Sequence, residues 1–373
     1  MCGPDATIVL THGELSVPQN DLTLKGPVDG SGNLTISGDH VSRVLNHQGS
    51  GTLTLTKLTI ADGSVSQTGH DGGGCVKSAS NVSLTGSTVT GCFAQGLFGG
   101  GIYAKGNTIL LASVVSNNEL TASNARGAGI ASDGFTSKYS SITGNRATRT
   151  SAYGGGAAIG TAGALVEATT FAYNEAYGGS AFVTKSDSTI ANSTISNNTG
   201  QGGAVYFIGP LSAKISNTTI AFNHAAGDIA TGGIALTLPI DAQIDLEIES
   251  SIVAMNTKRF NSPSDLLCYG PNRTFSGTRN LMLQVDGDCP IPMDFAVALD
   301  PKLRPLALNG GLTKTHALLP GSPAIGNGSN VLTPPLTTDQ RGQGYPRSTT
   351  SVSGTTTDIG AYEYDSIFAN PFD

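Results

Sequence analysis

The chain has 373 residues, a formal net charge of −7, 13% charged residues and 38% hydrophobic residues. That apolar share is too high for a disordered chain, and no stretch approaches the apolar length of a transmembrane helix. The thin negative charge, with no basic patch, argues against electrostatic binding to nucleic acid.

In chain order, Met1 to Asp5 lacks a basic region followed by an apolar run, so no signal segment is expected in this chain. Thr7-Ile8-Val9-Leu10, Leu22-Thr23-Leu24, Leu34-Thr35-Ile36 and Leu53-Thr54-Leu55 alternate as strands do, with Gly-rich turns between them. A repeat then emerges, returning about every twenty-five to thirty residues. An apolar residue is followed three positions later by Asn: Val115 to Asn118, Ile142 to Asn145, Phe171 to Asn174, Ile195 to Asn198, Ile220 to Asn223 and Val253 to Asn256. Val89 to Cys92 has the same spacing with Cys in the Asn slot. Between copies, Gly or Ala leads into an aliphatic residue, as in Gly101-Ile102, Gly129-Ile130 and Gly233-Ile234.

Each period holds three short alternating segments separated by turn residues, none long enough for a stable helix. Three strands per period wind into one rung, and each pairs with its equivalent one rung on, roughly 4.8 Å away. The expected fold is all-β: a right-handed parallel β-helix, about three strands per rung. An internal ladder of Asn118, Asn145, Asn174, Asn198, Asn223 and Asn256 would satisfy turn backbone groups. The period breaks near residue 257 and most of the Pro lies beyond it. Residues 1–257 are therefore assigned to the coils and residues 258–373 to a loop-rich C-terminal cap over the open end.

Five Cys are present and none forms a C-x-x-C pair. Cys268 and Cys289 bracket one Asn/Gly-rich loop and are read as a disulfide that closes it. Cys75 and Cys92 flank one corner of a coil, where a bond is open to them if the geometry allows. Cys2 is left over, and its partner is expected in an upstream segment. The pattern fits an oxidising, extracytoplasmic setting; the alternative is buried free thiols in a cytosolic protein.

The motifs Gly202-Gly203-Ala204-Val205 and Phe171-Ala172-Tyr173-Asn174 resemble the repeats of chlamydial polymorphic outer-membrane proteins, which are β-helical surface adhesins. A longer resemblance lies in Asp300 to Thr313, His316 to Ile325, Asp339-Gln340-Arg341-Gly342 and Asp358-Ile359-Gly360-Ala361-Tyr362-Glu363. Together these resemble the C-terminal region of the bacterial "choice-of-anchor Q" secreted β-helix proteins. That resemblance implies a β-helix fold and a secreted or surface location in a bacterium, and leaves the activity open. In this region His316, Asp339, Arg341 and Asp358 read first as a buried network that holds irregular loops.

Chemistry leaves few traces. Glycoside hydrolysis needs paired carboxylates, and the chain has no Asp-Asp pair. Calcium-dependent elimination needs several carboxylates about one cation. Asp241, Asp245, Glu247 and Glu249 alternate along a single strand, which makes a poor cage. No metal or cofactor is expected. A metal-free lyase needs a cation and a Tyr or His to move a proton. Residues just after the ladder Asn supply candidates: Glu119, Arg146, Glu175, Thr199 and His224, with Arg149, Tyr153 and Tyr177 one step along. A charge ladder is the structural reading of Glu119, Arg146 and Glu175. A sugar-binding edge of Arg146, Arg149, Tyr153, Glu175, Tyr177 and His224 is the functional one, with Arg146, Tyr177 and His224 as catalytic candidates. The preferred function is non-catalytic, adhesin-like binding of an extended polysaccharide or a cell-surface glycan. The alternatives are a lyase acting on a uronic-acid polymer and a purely structural surface or matrix protein.

Overall fold

The computed structural model describes residues 5–27, 32–66, 72–227, 230–237, 243–269, 272–287, 289–329, 336–347, 349–351 and 354–364. Cys2, Asp241 and the terminal residues 365–373 lie outside this set. The chain winds into a parallel β-helix with three sheets along its length. Among the described residues, the first sheet has twelve strands, from Asp5–Val9 at one end to Ala296–Val297 at the other. The second contains eighteen, in two legs per rung; in three middle rungs the two legs run together as Ile102–Leu111, Ile130–Lys138 and Ala157–Glu167. The third has nine strands of two residues each, from Ser64–Val65 to Ser262–Pro263.

Alternation explains the core. In the first sheet Val115, Ile142, Phe171, Ile195, Ile220 and Val253 are in register and buried, so one apolar column runs through the solenoid. Three residues on, the chain turns and the Asn side chain enters the corner. Asn174 is typical. Its Oδ1 accepts from the backbone N of Asn145 at 3.0 Å and from Asn145 Nδ2 at 2.9 Å. Its own Nδ2 donates to the Ile142 carbonyl and to Asn198 Oδ1, both at 2.9 Å. The same pattern joins Asn118, Asn145, Asn198, Asn223 and Asn256, all buried. Glycines in the second motif make room for it. A Cβ on Gly101 or Gly129 would lie about 3 Å from the amide of Asn118 or Asn145.

A second ladder runs up the opposite side of the first sheet, and the sequence reading missed it. Ser87, Ser113, Ser140, Thr169, Ser193, Thr218 and Ser251 precede each core residue by two positions and are all buried. The backbone N of Ser87 donates to Ser113 Oγ, Ser113 N to Ser140 Oγ and Thr169 N to Ser193 Oγ. Each hydroxyl in turn donates to a carbonyl two residues back, as Ser113 does to Leu111 at 2.8 Å. The full repeat is therefore a hydroxyl residue, a core residue two positions later and Asn three positions after that.

The C-terminal region departs from expectation in two ways. Parallel pairing does not stop at residue 257. Leu266–Tyr269, Arg273–Ser276 and Asn280–Met282 stack on the rung before them, and Ala296–Val297 stacks on Asn280–Met282. The described part of the segment beyond residue 300 lies along the outer face of the first sheet. Strands Thr88–Thr90, Val114–Ser116 and Ser141–Thr143 bury only their central residue, whereas Thr170–Ala172, Thr194–Ser196, Thr219–Ala221 and Ile252–Ala254 are buried on both faces. Polar pins hold this strap. Gln340 accepts from Thr194 Oγ1 at 2.6 Å and donates to Thr170 Oγ1 at 2.8 Å. His316 Nε2 meets Ser196 Oγ at 2.8 Å, while its Nδ1 faces the Arg304 carbonyl and so carries the proton. Burial lowers the His316 pKa. Arg347, with 0% exposure, bonds the Gly360 carbonyl, Glu363 Oε1 and Asn192 Oδ1. Burial pushes Glu363 up to about 8 against the pull of Arg347. An outer face of Thr, Ser and Ala is small and polar enough for a strap to bond to directly, which is why the segment settles there.

Two disulfides are formed. Cys75–Cys92 and Cys268–Cys289 each span 5.4 Å between Cα atoms.

Candidate binding groove

The first leg of the second sheet carries a groove of about 580 Å³ on its outer face. Strand alternation builds its floor. Tyr103, Ala131, Ala158, Val183 and Tyr206 are in register on successive rungs, facing away from core residues such as Ile102, Ile130 and Phe182. Two positions further along the same strands come Lys105, Asp133, Gly160, Lys185 and Ile208, which form one wall. The other wall comes from the loop between the third and second sheets. Phe98, Arg126, Tyr153 and Gly178 pair one to the next by isolated parallel bridges.

Aromatic rings frame this groove. Phe98 stacks on Tyr103 with centroids 5.2 Å apart, and Tyr153 stacks on Tyr206 at 6.0 Å. Tyr177 meets the Tyr153 ring edge-on at 6.2 Å. The absence of a side chain at Gly178 lets Tyr153 lie flat, since a Cβ there would sit 2.8 Å from the Tyr153 ring carbons. The middle of the floor, Ala131 and Ala158, is small, so the groove is deepest between the two aromatic pairs. Burial raises the Tyr153 phenol pKa above its usual range; Tyr206 and Tyr177 add to this and Arg126 opposes it.

Charge along the groove is mostly positive. Lys105, Arg126 and Lys185 are exposed, and their side chains make no hydrogen bond or ion pair among the described residues. Asp133 is the carboxylate among the lining residues, and its Oδ1 already accepts from Thr161 N at 2.8 Å and Thr161 Oγ1 at 2.9 Å.

The candidates read from sequence are divided by the fold. Tyr153 lines the groove, with Tyr177 against it. Glu119, Arg146, Glu175, Thr199 and His224 stand in one register column on the third sheet. Arg146 is paired with Glu175, Nε to Oε2, at 2.8 Å. Arg149 donates from Nε to the Thr121 carbonyl at 3.2 Å, and His224 Nδ1 bonds Thr257 Oγ1 at 2.9 Å. Three rungs separate Arg146 from His224, roughly 14 Å, so these two do not meet over one sugar. Phe98, Tyr103, Lys105, Arg126 and Lys185 were missed. Their signal is a bulky or charged residue within four positions of the repeat's small-residue motif; for Tyr103 alone the next two copies carry Ala, at Ala131 and Ala158.

Residues 76–238 match a family model described as a right handed beta helix region. No curated protein and no solved structure matches the chain. The chain is thus an all-β, right-handed parallel β-helix, and the matched stretch contains the whole groove. No helix among the described residues is long and apolar enough to cross a membrane.

Proposed function

We propose that the protein is a secreted or cell-surface β-helix that holds an extended polysaccharide along this groove without altering it chemically. The observation that carries the reading is the pair of aromatic platforms, Phe98 with Tyr103 and Tyr153 with Tyr206, set at the ends of a floor of small side chains. The faces of sugar rings are apolar enough to lie on such platforms, and the hydroxyls at their edges then reach the polar walls. From the Tyr103 rung to the Tyr206 rung is four steps, roughly 19 Å, a length suited to several linked sugars. A location outside the cytoplasm is supported by the two disulfides. Binding is favoured over elimination because Arg146, Tyr177 and His224 are spread over separate rungs, with Arg146 neutralised by Glu175.

A panel of soluble polysaccharides run through native affinity gels tests this reading. At least one should retard the protein, and Tyr153→Ala should weaken that binding about fivefold to tenfold, the scale of one aromatic contact. No retardation by any polysaccharide, or an unchanged affinity in Tyr153→Ala, would refute it. The same polymers should be followed for absorbance from unsaturated chain ends. Activity that disappears in Tyr177→Phe or Arg146→Ala would replace binding with a lyase.

A further inference from the structure

Resting on that reading, we infer that the groove selects an anionic polysaccharide, laid along the solenoid axis with its acid groups held by Lys105, Arg126 and Lys185. The chain as a whole carries a net charge of −7, yet this groove sets three cations against one carboxylate. That carboxylate, Asp133, is already engaged by Thr161. Elsewhere on the coil, cations sit opposite a carboxylate one rung along: Lys138 with Glu167 at 2.7 Å, Arg146 with Glu175 at 2.8 Å and Lys214 with Glu247 at 2.6 Å. In the groove Lys185 has Gly160 and Ile208 as its neighbours and Arg126 has Phe98 and Tyr153, while Lys105 stands one rung from Asp133, which is bonded to Thr161 instead. Arg126 and Lys185 are left without neighbouring counter-charges, and Lys105 without an ion pair, where a ligand would lie.

Their placement also sets a direction. Lys105 and Lys185 stand on one wall three rungs apart, roughly 14 Å, and Arg126 stands on the opposite wall between them. A chain running across the strands, from rung to rung, passes all three in turn. A chain lying along one strand meets a single cation. Between Arg126 and Lys185 the Tyr153 ring, stacked on Tyr206, remains available for a sugar face. Carboxylate and sulfate groups would both satisfy this pattern.

The test measures affinity for polygalacturonate, dextran sulfate, neutral dextran and single-stranded poly(dT), with the intact protein and a Lys105→Gln/Arg126→Gln/Lys185→Gln triple variant. Lys138→Gln, on the outer flank, is the control for nonspecific charge loss. The expected result is binding of at least one acidic polysaccharide that the triple variant weakens a hundredfold or more and Lys138→Gln leaves unchanged. That binding should weaken as salt is raised. Preference for polygalacturonate assigns carboxylate as the group held, and preference for dextran sulfate assigns sulfate. Neutral dextran binding as tightly as both polyanions, with loss only in Tyr153→Ala, would overturn the anionic inference and leave polysaccharide binding standing. Tighter binding of poly(dT) than of any polysaccharide would overturn it in favour of a nucleic-acid groove. Failure of every polysaccharide would remove the inference together with the reading beneath it.

Discussion

Replacing Asn174 by Ala strikes the middle of the internal amide column. Four hydrogen bonds vanish, two accepted from Asn145 and two donated, to the Ile142 carbonyl and to Asn198 Oδ1. They do not count equally. Asn145 Nδ2 keeps its bond to the Val115 carbonyl, and Asn198 Oδ1 keeps the backbone N of Asn174. The Asn145 N–H is left with no acceptor in a buried corner, and the Ile142 carbonyl loses one donor. One to two unsatisfied groups at about 1–3 kcal/mol each give an expected loss of about 1–6 kcal/mol. Urea unfolding followed by circular dichroism measures the total. Hydrogen exchange at the Asn145 amide locates it, because that amide should lose protection while core strands two rungs away keep theirs. Asn174→Asp, nearly isosteric, should be at least as damaging, since a carboxylate oxygen would face Asn198 Oδ1. An unchanged urea midpoint with unchanged Asn145 protection would refute the reasoning.

Asp265, fully buried, is pushed up by that burial to about 6, from 3.8 in the unfolded chain, although Asn256, Leu283 and Gln284 all donate to it. The folded protein therefore binds more protons than the unfolded chain between those pH values. Stability from this group is full below pH 3.8 and is lost as pH rises through about 6, on the order of 3 kcal/mol in all. The fall in urea midpoint between pH 4 and pH 7.5 should be smaller in Asp265→Asn; equal falls would contradict this. Arg347→Ala removes its bonds to Glu363 Oε1, the Gly360 carbonyl and Asn192 Oδ1, and should cost about 1–3 kcal/mol for each buried group left without a partner. Limited proteolysis should then cut the strap while the coils stay protected, and equal resistance in both proteins would count against the strap's dependence on Arg347. Opening Cys268–Cys289 should cost about 3 kcal/mol in the chain-entropy model. Non-reducing peptide mapping should recover the linked pair, and exchange after reduction should rise first in residues 272–287.

The repeat was legible because it is periodic. Val115, Ile142 and Phe171 recur in step with Asn118, Asn145 and Asn174, and a period shared by a core residue and a corner amide has few solutions besides a stacked coil. The hydroxyl ladder was equally periodic, but Ser and Thr are so frequent here that Ser113 or Ser193 does not stand out from the other Thr and Ser around it. Asp265 left a fainter mark. It occupies the slot before an aliphatic residue that holds Gly in Gly101-Ile102 and Gly233-Ile234, and Leu266 is in register with Ile234. A carboxylate in a slot of small residues points into the ladder column. The groove was hidden because it exists only once several rungs are stacked: Phe98 and Arg126 on one side and Lys105 and Lys185 on the other come from different copies of the repeat. The strap was hidden because Gln340 meets Thr194 across a separation of 146 residues, a distance over which no local pattern speaks.

The amide column also has a polarity. Every Nδ2 group from Asn118 to Asn256 points to the oxygen of the following rung. The amide dipoles therefore add head to tail, with their positive end at Asn256. There the backbone N and Nδ2 of Asn256 both meet Asp265 Oδ1, an anion set against the positive pole as at the start of an α-helix. Such a column has a fixed sense. Rungs can be added or lost within it as whole units without changing its ends, because each hands on the pair of donors it receives. It has no neutral stopping point at the C-terminal end, so a chain cut at residue 257 would retain six Asn rungs and lose the group that terminates them.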